Sequence, residues 1–192
     1  MANRFKPEGL QALSNSACHD DVEGYFKAYG QILWLWSHSN LHRSWSVDIQ
    51  SGLVMPATVL NQFALIYDSD QMPAAYCSWA FLSPENEVSY ILNPSVIPLD
   101  HWQSGSNIWI MDFVSPFSRV YTNRLISKLQ SIFSANVACA LRVKHGDTVG
   151  RLKMFFGKNL DPAAISVMRQ RKLNFFQEQL SQYPEAVASF PS

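Results

Sequence analysis

What is scarce in this sequence narrows it first. Cysteine is rare: three in 192 residues, Cys18, Cys77 and Cys139, with no CxxC spacing. That pattern indicates neither a zinc site nor a dithiol redox motif, and the count argues against a disulfide scaffold. Net charge is missing altogether, with 15 basic residues against 15 acidic ones. A nucleic-acid binder carries a net-basic domain or stripe, and the one basic run, RQRK at 169–172, reads as a solvated helix face. The opening MANRFKPEGLQAL lacks the apolar segment of a secretory signal, and no apolar run approaches the roughly 20 residues of a membrane span. The expectation is a cytoplasmic protein without a transmembrane segment. Repeats and low-complexity linkers are absent too. One domain over 22–183 is therefore expected, between an N-terminal extension at 1–21 and a C-terminal tail at 184–192.

What is plentiful is apolar surface. At 47% hydrophobic, 13% aromatic and 16% charged, the chain has ample material for a core, with some aromatic surface to spare for a partner or an acyl chain. From Val22, apolar residues recur at Tyr25/Phe26, Tyr29, Ile32/Leu33 and Trp36, which is helical spacing, and Ser and Asn in SHSN end that helix. QFALIY and AAYCSWAFL read as strands around the turn DSDQMP. Ser83 as N-cap, Pro84 at the first helical position and Glu85 near the dipole's positive end predict a short helix. The strand 107–114 should place Ile108, Ile110, Asp112 and Val114 on one face and Trp109, Met111 and Phe113 on the other. Both faces are apolar, as in a strand buried on both sides. A helix over about 119–134, strands NVACALRV and TVGRLKMFF around KHGD, and a last helix capped by Asp161 complete the order. This is an α/β (α+β) chain with a mixed sheet flanked by helices.

Three features carry chemistry. His38 and His42 have the i, i+4 spacing of two zinc ligands on a helix. The metalloprotease pattern needs Glu after the first His, where this chain has Ser39, and no third ligand cluster stands elsewhere, so no metal site is expected. Asp112 is the one charge in an apolar strand. Unpaired, it would cost several kcal/mol, on the order of buried-charge penalties. It either pairs with an arginine such as Arg43, Arg119 or Arg142, or accepts a hydrogen bond from an imidazole N–H and fixes that ring. Cys77, in an apolar strand, reads as an inert small hydrophobe rather than a nucleophile.

Taken together, WLW at 34–36, SNLHRSW at 39–45, PAAYCSWAFLSPENEVSYIL at 73–92, WQSG at 102–105 and WIMDFVSPF at 109–117 resemble the RTX toxin-activating lysine acyltransferases. LRV and VGRL extend the match to about residue 152. The resemblance implies a single-domain variant of the GNAT-type acyltransferase fold and a cytoplasmic enzyme. It would move a fatty acyl group from acyl-acyl carrier protein, its phosphopantetheine thioester donor, to lysine ε-amines of an RTX protoxin. It implies no permanently bound cofactor and allows a homodimer. Residue by residue, it assigns catalysis to His42 and Asp112 and a supporting role to Ser39; Arg142 is a further candidate for support. It leaves Cys77 without a catalytic role.

The implied chemistry fits these residues. A lysine with pKa near 10.4 is neutral in roughly one molecule in a thousand or fewer at pH 7, so attack on a thioester needs a general base. His42 would be that base or, alternatively, a transient acyl acceptor. Two departures stand out. Leu53 replaces an Asn that some relatives carry and that would have been an oxyanion donor, and the C-terminal helix matches poorly. RQRK as a docking patch for the acidic carrier protein is an expectation of its own. The rival reading is a catalytically degenerate relative that only binds its partner.

Overall fold

The computed structural model describes residues 19–94, 97–142, 151–181 and 183. Residues 1–18, the KHGD turn and the C-terminal tail lie outside the described residues. The elements run α1 (His19–Ser37), α2 (Val47–Val59), β1 (Phe63–Tyr67), β2 (Pro73–Leu82), α3 (Pro84–Leu92), a 3₁₀ turn (Leu99–Trp102), β3 (Asn107–Val114), α4 (Arg119–Ile132), β4 (Val137–Arg142), β5 (Arg151–Phe156) and α5 (Pro162–Gln179). The five strands form one sheet in the order β1-β2-β3-β4-β5, antiparallel except for the β3–β4 pair. The mixed sheet and its flanking helices are the expected architecture.

Local chemistry sets the element ends. Ser83, Ser118 and Asp161 each accept a backbone N–H at the start of α3, α4 and α5, satisfying donors that have no partner inside the helix. In the β1–β2 turn, Asp68 Oδ1 accepts from the amides of Asp70 and Met72, and Gln71 takes the left-handed conformation at φ 60°. Gly105 lies so close to the β2–α3 junction that a Cβ there would stand 2.5 Å from the Leu82 carbonyl oxygen. α2 is the element that sequence periodicity does not announce: it holds Pro56 in its interior and is capped by Ser46.

The sheet has two covered faces. On one, α4 packs over β1 and β2, joining Leu125 to Ile66, Cys77, Trp79, Ile108 and Ile110. On the other, α3 and α5 bring Tyr90, Phe176 and Leu180 onto Trp109, Met111 and Cys139, while α1 and α2 bring Ile32, Trp36 and Val54 onto Leu65, Tyr76 and Val114. The strand β3 departs from simple alternation. Ser78 of β2 faces Asp112 but Trp79 faces Ile110, so Met111 is an extra residue opposite the Ser78–Trp79 step, a β-bulge. Two successive residues of a bulge can point the same way. Asp112 is thereby turned away from the face of Ile108 and Ile110 and joins Val114 on the α1 side, while Phe113 goes to the α4 side with Ile110. The expected grouping of Asp112 with Ile108 and Ile110 is corrected by this one inserted residue.

The basic run at 169–172 also divides. Arg169 and Arg171 are exposed, but the Lys172 side chain is only 14% exposed, with Nζ 2.6 Å from Glu87 Oε1 and donating to Asn107 Oδ1 at 3.0 Å. Glu87 is buried and accepts from Trp109 Nε1 at 2.7 Å. Burial raises its carboxyl pKa above the ordinary value, opposed by Lys172 and then Trp109. Lys172 is therefore a structural cation, not part of a solvated face.

Candidate active site

The stretch after α1 supplies half of the site. From Leu35 to Trp45 the chain winds in tight turns, with Ser39 N–H donating to Trp36 O (3.0 Å), Arg43 N–H to Ser39 O (3.0 Å) and Trp45 N–H to His42 O (2.9 Å). This winding folds His42 back against the end of α1. Its ring packs against both Trp36 and Trp45, with centroids 4.8 and 4.6 Å away, and the two indoles also touch each other. The tryptophans are walls of the histidine's pocket, in tilted and edge-on contact with its ring.

The bulge in β3 supplies the other half. His42 Nε2 stands 3.0 Å from Asp112 Oδ1, both side chains buried. Asp112 also accepts from Trp36 Nε1 at 2.8 Å and from the Phe113 amide at 2.7 Å. Three donors on one carboxylate answer why a charge can sit in this strand. Among the described residues its ion-pair partner is His42, not Arg43, Arg119 or Arg142. An ionised carboxylate only accepts, so Nε2 carries the proton and the lone pair of the neutral ring is at Nδ1. That atom lies 2.7 Å from Ser39 Oγ. Ser39, His42 and Asp112 form a continuous hydrogen-bonded row whose basic atom is Nδ1.

The row opens on a cleft of about 300 Å³, lined by His38, Ser39, Asn40, Leu41 and His42 on one wall and by Phe113, Val114, Ser115 and Pro116 on the other. His42 and Ser39 thus border a space that a substrate can enter. His38 lines the cleft but stands outside the row: it is exposed, its Nδ1 is 2.8 Å from the Trp34 carbonyl, and it packs with Trp34 and Phe117. Among the described residues no three His, Cys, Asp or Glu side chains gather as metal ligands.

Other candidates fall away from this row. Burial, then the Asp112 charge, push the Cys77 thiol well above its ordinary pKa, so it stays a thiol. Cys139, also buried, is pushed up to about 12. The same two causes raise the Tyr76 phenol and keep it neutral beside the carboxylate. Arg142 is exposed at the end of β4, opposite Arg151, outside the hydrogen-bonded row. Leu53 packs from α2 against the cluster around Trp36. Sequence reading did not anticipate Trp36 as a donor to Asp112, nor Asn40 on the cleft wall. Only the density of tryptophans around the histidines hinted at the first.

Comparison with known proteins is consistent along most of the chain. A sequence profile described as the RTX toxin acyltransferase family matches residues 22–156. The chain is 39% identical over 136 residues to the protein-lysine myristoyltransferase RtxC of Kingella kingae, covering 71% of this chain and 80% of the relative. It is 36% identical over 160 residues to the leukotoxin-activating lysine-acyltransferase LktC, serotype A11, of Mannheimia haemolytica, covering 83% and 92%. It is 36% identical over 146 residues to the protein-lysine palmitoyltransferase CyaC of Bordetella bronchiseptica, covering 76% and 78%. No helix among the described residues is long and apolar enough to cross a membrane.

Proposed function

This chain belongs to the RTX toxin acyltransferase family, and on that premise we propose that it moves a long-chain fatty acyl group from an acyl-acyl carrier protein thioester to lysine ε-amines of an RTX protoxin. The relatives named for myristoyl and palmitoyl transfer support a long saturated chain, and a carrier-protein donor places the reaction in the cytoplasm. The observation that carries the reading is the row Ser39–His42–Asp112 opening on a cleft.

The reaction follows from the row. Asp112 holds the Nε2 proton and stabilises the imidazolium. The incoming ammonium first releases one proton to solvent; Nδ1 then takes a second from the attacking amine, either directly or through the Ser39 hydroxyl. The amine nitrogen bonds to the thioester carbonyl carbon, the C–S bond breaks, and the proton on Nδ1 passes to the departing thiolate. With Leu53 apolar, backbone amides of the cleft or the side-chain amide of Asn40 would face the carbonyl oxygen. The 2.7 Å contact of Ser39 Oγ with Nδ1 favours a second route, in which Ser39 attacks the thioester first, with His42 as its base. The thiolate leaves with the proton that His42 took from Ser39; the lysine amine then attacks the seryl ester carbonyl, the acyl C–Oγ bond breaks, and His42 passes the amine's proton to Ser39 Oγ. A mass increase of one acyl group on Ser39 after mixing with donor alone selects this route; acyl transfer by Ser39→Ala at near wild-type rate rejects it.

Substrate protoxin incubated with the protein and acyl-carrier donor should gain acyl-lysine peptides, and His42→Ala should remove them. Acylation that persists in His42→Ala sinks the assignment. The degenerate, binding-only alternative is disfavoured by a row whose three members are all in hydrogen-bond contact.

A further inference from the structure

Acyl transfer to lysine has one more proton to move than the Ser39–His42–Asp112 row can hold. The lysine side chain arrives as an ammonium with three protons, and the amide nitrogen it becomes keeps one. His42 Nδ1 takes another and returns it to the leaving group. The remaining proton must go before attack, because an ammonium has no lone pair. Bulk water removes it from roughly one lysine in a thousand or fewer at pH 7, so a base at the cleft would raise the reactive fraction.

The cleft has a second imidazole. Of its lining residues only His42 and His38 carry an ionisable ring, and imidazole is the side chain suited to exchanging protons between about pH 5 and 8. His38 is held in one tautomer. Its Nδ1 stands 2.8 Å from the Trp34 carbonyl oxygen and 3.1 Å from Ser37 Oγ. The carbonyl only accepts, and the single Ser37 hydroxyl proton is donated to that same carbonyl at 2.7 Å. Both neighbours of Nδ1 are therefore acceptors, so Nδ1 carries the proton and the lone pair of the neutral ring is at Nε2. Trp34 and Phe117 pack on the imidazole with centroids 4.4 and 5.3 Å away, and on each other at 5.5 Å. Phe117 follows Pro116 of the opposite wall, so His38 is fixed between the two sides of the cleft although it is exposed. Neither packing ring is charged, and among the described residues no carboxylate pairs with His38.

The two histidines are set up for different tasks. His42 is buried, and Asp112 holds its Nε2 proton and stabilises its imidazolium. His38 rests on a neutral carbonyl and meets solvent, so a proton it accepts passes on to water. We propose that His38 is a second catalytic base, whose Nε2 takes the first proton from the lysine ammonium and hands it to solvent, leaving a neutral amine for the His42 row. The ammonium N–H bond breaks, its electron pair stays on the nitrogen, and His38 is neutral again after each turnover. The step serves direct attack on the thioester and attack on a seryl ester alike. It rests on the acyltransferase reading, and the two fail separately in the following experiment.

Initial rates of acyl-lysine formation are measured from about pH 7 to about pH 9, with myristoyl-acyl carrier protein as donor and an RTX protoxin as acceptor. Wild type is compared with His38→Ala and with His38→Gln, which keeps an N–H for the Trp34 carbonyl but has no atom that takes up a proton; circular dichroism checks both folds. At pH 7 both variants should be slower by about tenfold to a hundredfold, since one general base is lost and solvent replaces it in part. The deficit should shrink as pH rises, because the neutral fraction of free lysine grows about tenfold per pH unit. Added imidazole should restore much of the rate of His38→Ala at pH 7. Wild-type rates at pH 7 in both variants overturn the proposal, as does a deficit that stays constant with pH or that imidazole does not relieve, either of which leaves His38 a packing role only. A wild type that forms no acyl-lysine fails the acyltransferase reading itself.

Discussion

Asp112 shows how a single side chain reports on its surroundings. Its carboxylate takes three donors, from Trp36, His42 and the Phe113 amide, and each has a different consequence. Removing the indole donor in Trp36→Phe should cost about 1.5–3 kcal/mol of unfolding free energy, the range for a hydrogen bond to a charged group. Chemical denaturation measures it, and an unchanged midpoint would mean the indole bond contributes nothing. Asp112→Asn keeps the shape but removes the charge that stabilises the imidazolium, and its N–H₂ must face a donor, either the Trp36 indole or the Phe113 amide beside Nε2. Transfer should fall by about a hundred- to ten-thousand-fold with the fold intact. The need for a partner at Asp112 was legible in the sequence, because a lone charge in an apolar strand demands one. Which partner it takes was not: Arg43 and Arg119 were chemically equal to His42, and only the tight turns at 38–45 select the histidine.

At the scale of elements, the bulge at Met111 and the helix α2 are the parts that pattern reading could not supply. Alternation assumes one residue per rung, and a bulge breaks the count without leaving a sequence mark such as glycine. α2 is hidden because Pro56 interrupts its run and its apolar residues form no single stripe. The caps at Ser83 and Asp161 were legible, since they depend on local chemistry alone. α5 is tied to β3 and α3 through Lys172, Glu87, Asn107 and Trp109. Glu87→Ala leaves a buried ammonium unpaired and should destabilise by about 3–5 kcal/mol. The pH dependence has a definite sign. The Glu87 pKa is raised in the fold, so the folded state holds its proton more tightly than the unfolded state. Its contribution is most favourable below the unfolded carboxyl range and declines as pH rises through the folded value. The stability difference between wild type and Glu87→Gln should therefore fall with rising pH across that window; a difference that grows would contradict a carboxyl whose pKa is raised by burial.

For the whole molecule, the candidate chemistry is gathered on one face of one sheet. The α1 side holds the Ser39–His42–Asp112 row and its cleft, while α4 covers part of the other face. The overall architecture could be read from the alternation of elements, and the family from its ordered motifs. The face on which Asp112 lies could not, because it depends on the bulge that turns Asp112 and Phe113 to opposite sides. Outside this core, the exposed Arg169 and Arg171 remain the cations of the C-terminal helix that an acidic carrier protein could meet, since Lys172 is engaged with Glu87. Reversing both charges should weaken use of the protein-bound donor while sparing a small acyl-pantetheine thioester; equal loss on both would remove this helix from docking.

The claim on which the rest depends is that His42, held by Asp112, catalyses acyl transfer to lysine. The most direct test is peptide mass spectrometry of the protoxin after reaction with acyl-acyl carrier protein and each of wild type, His42→Ala and Asp112→Asn, all confirmed folded by circular dichroism. Wild type should give acyl-lysine, His42→Ala none, and Asp112→Asn a trace reduced by orders of magnitude. Acyl-lysine formed at comparable levels by all three proteins would contradict it.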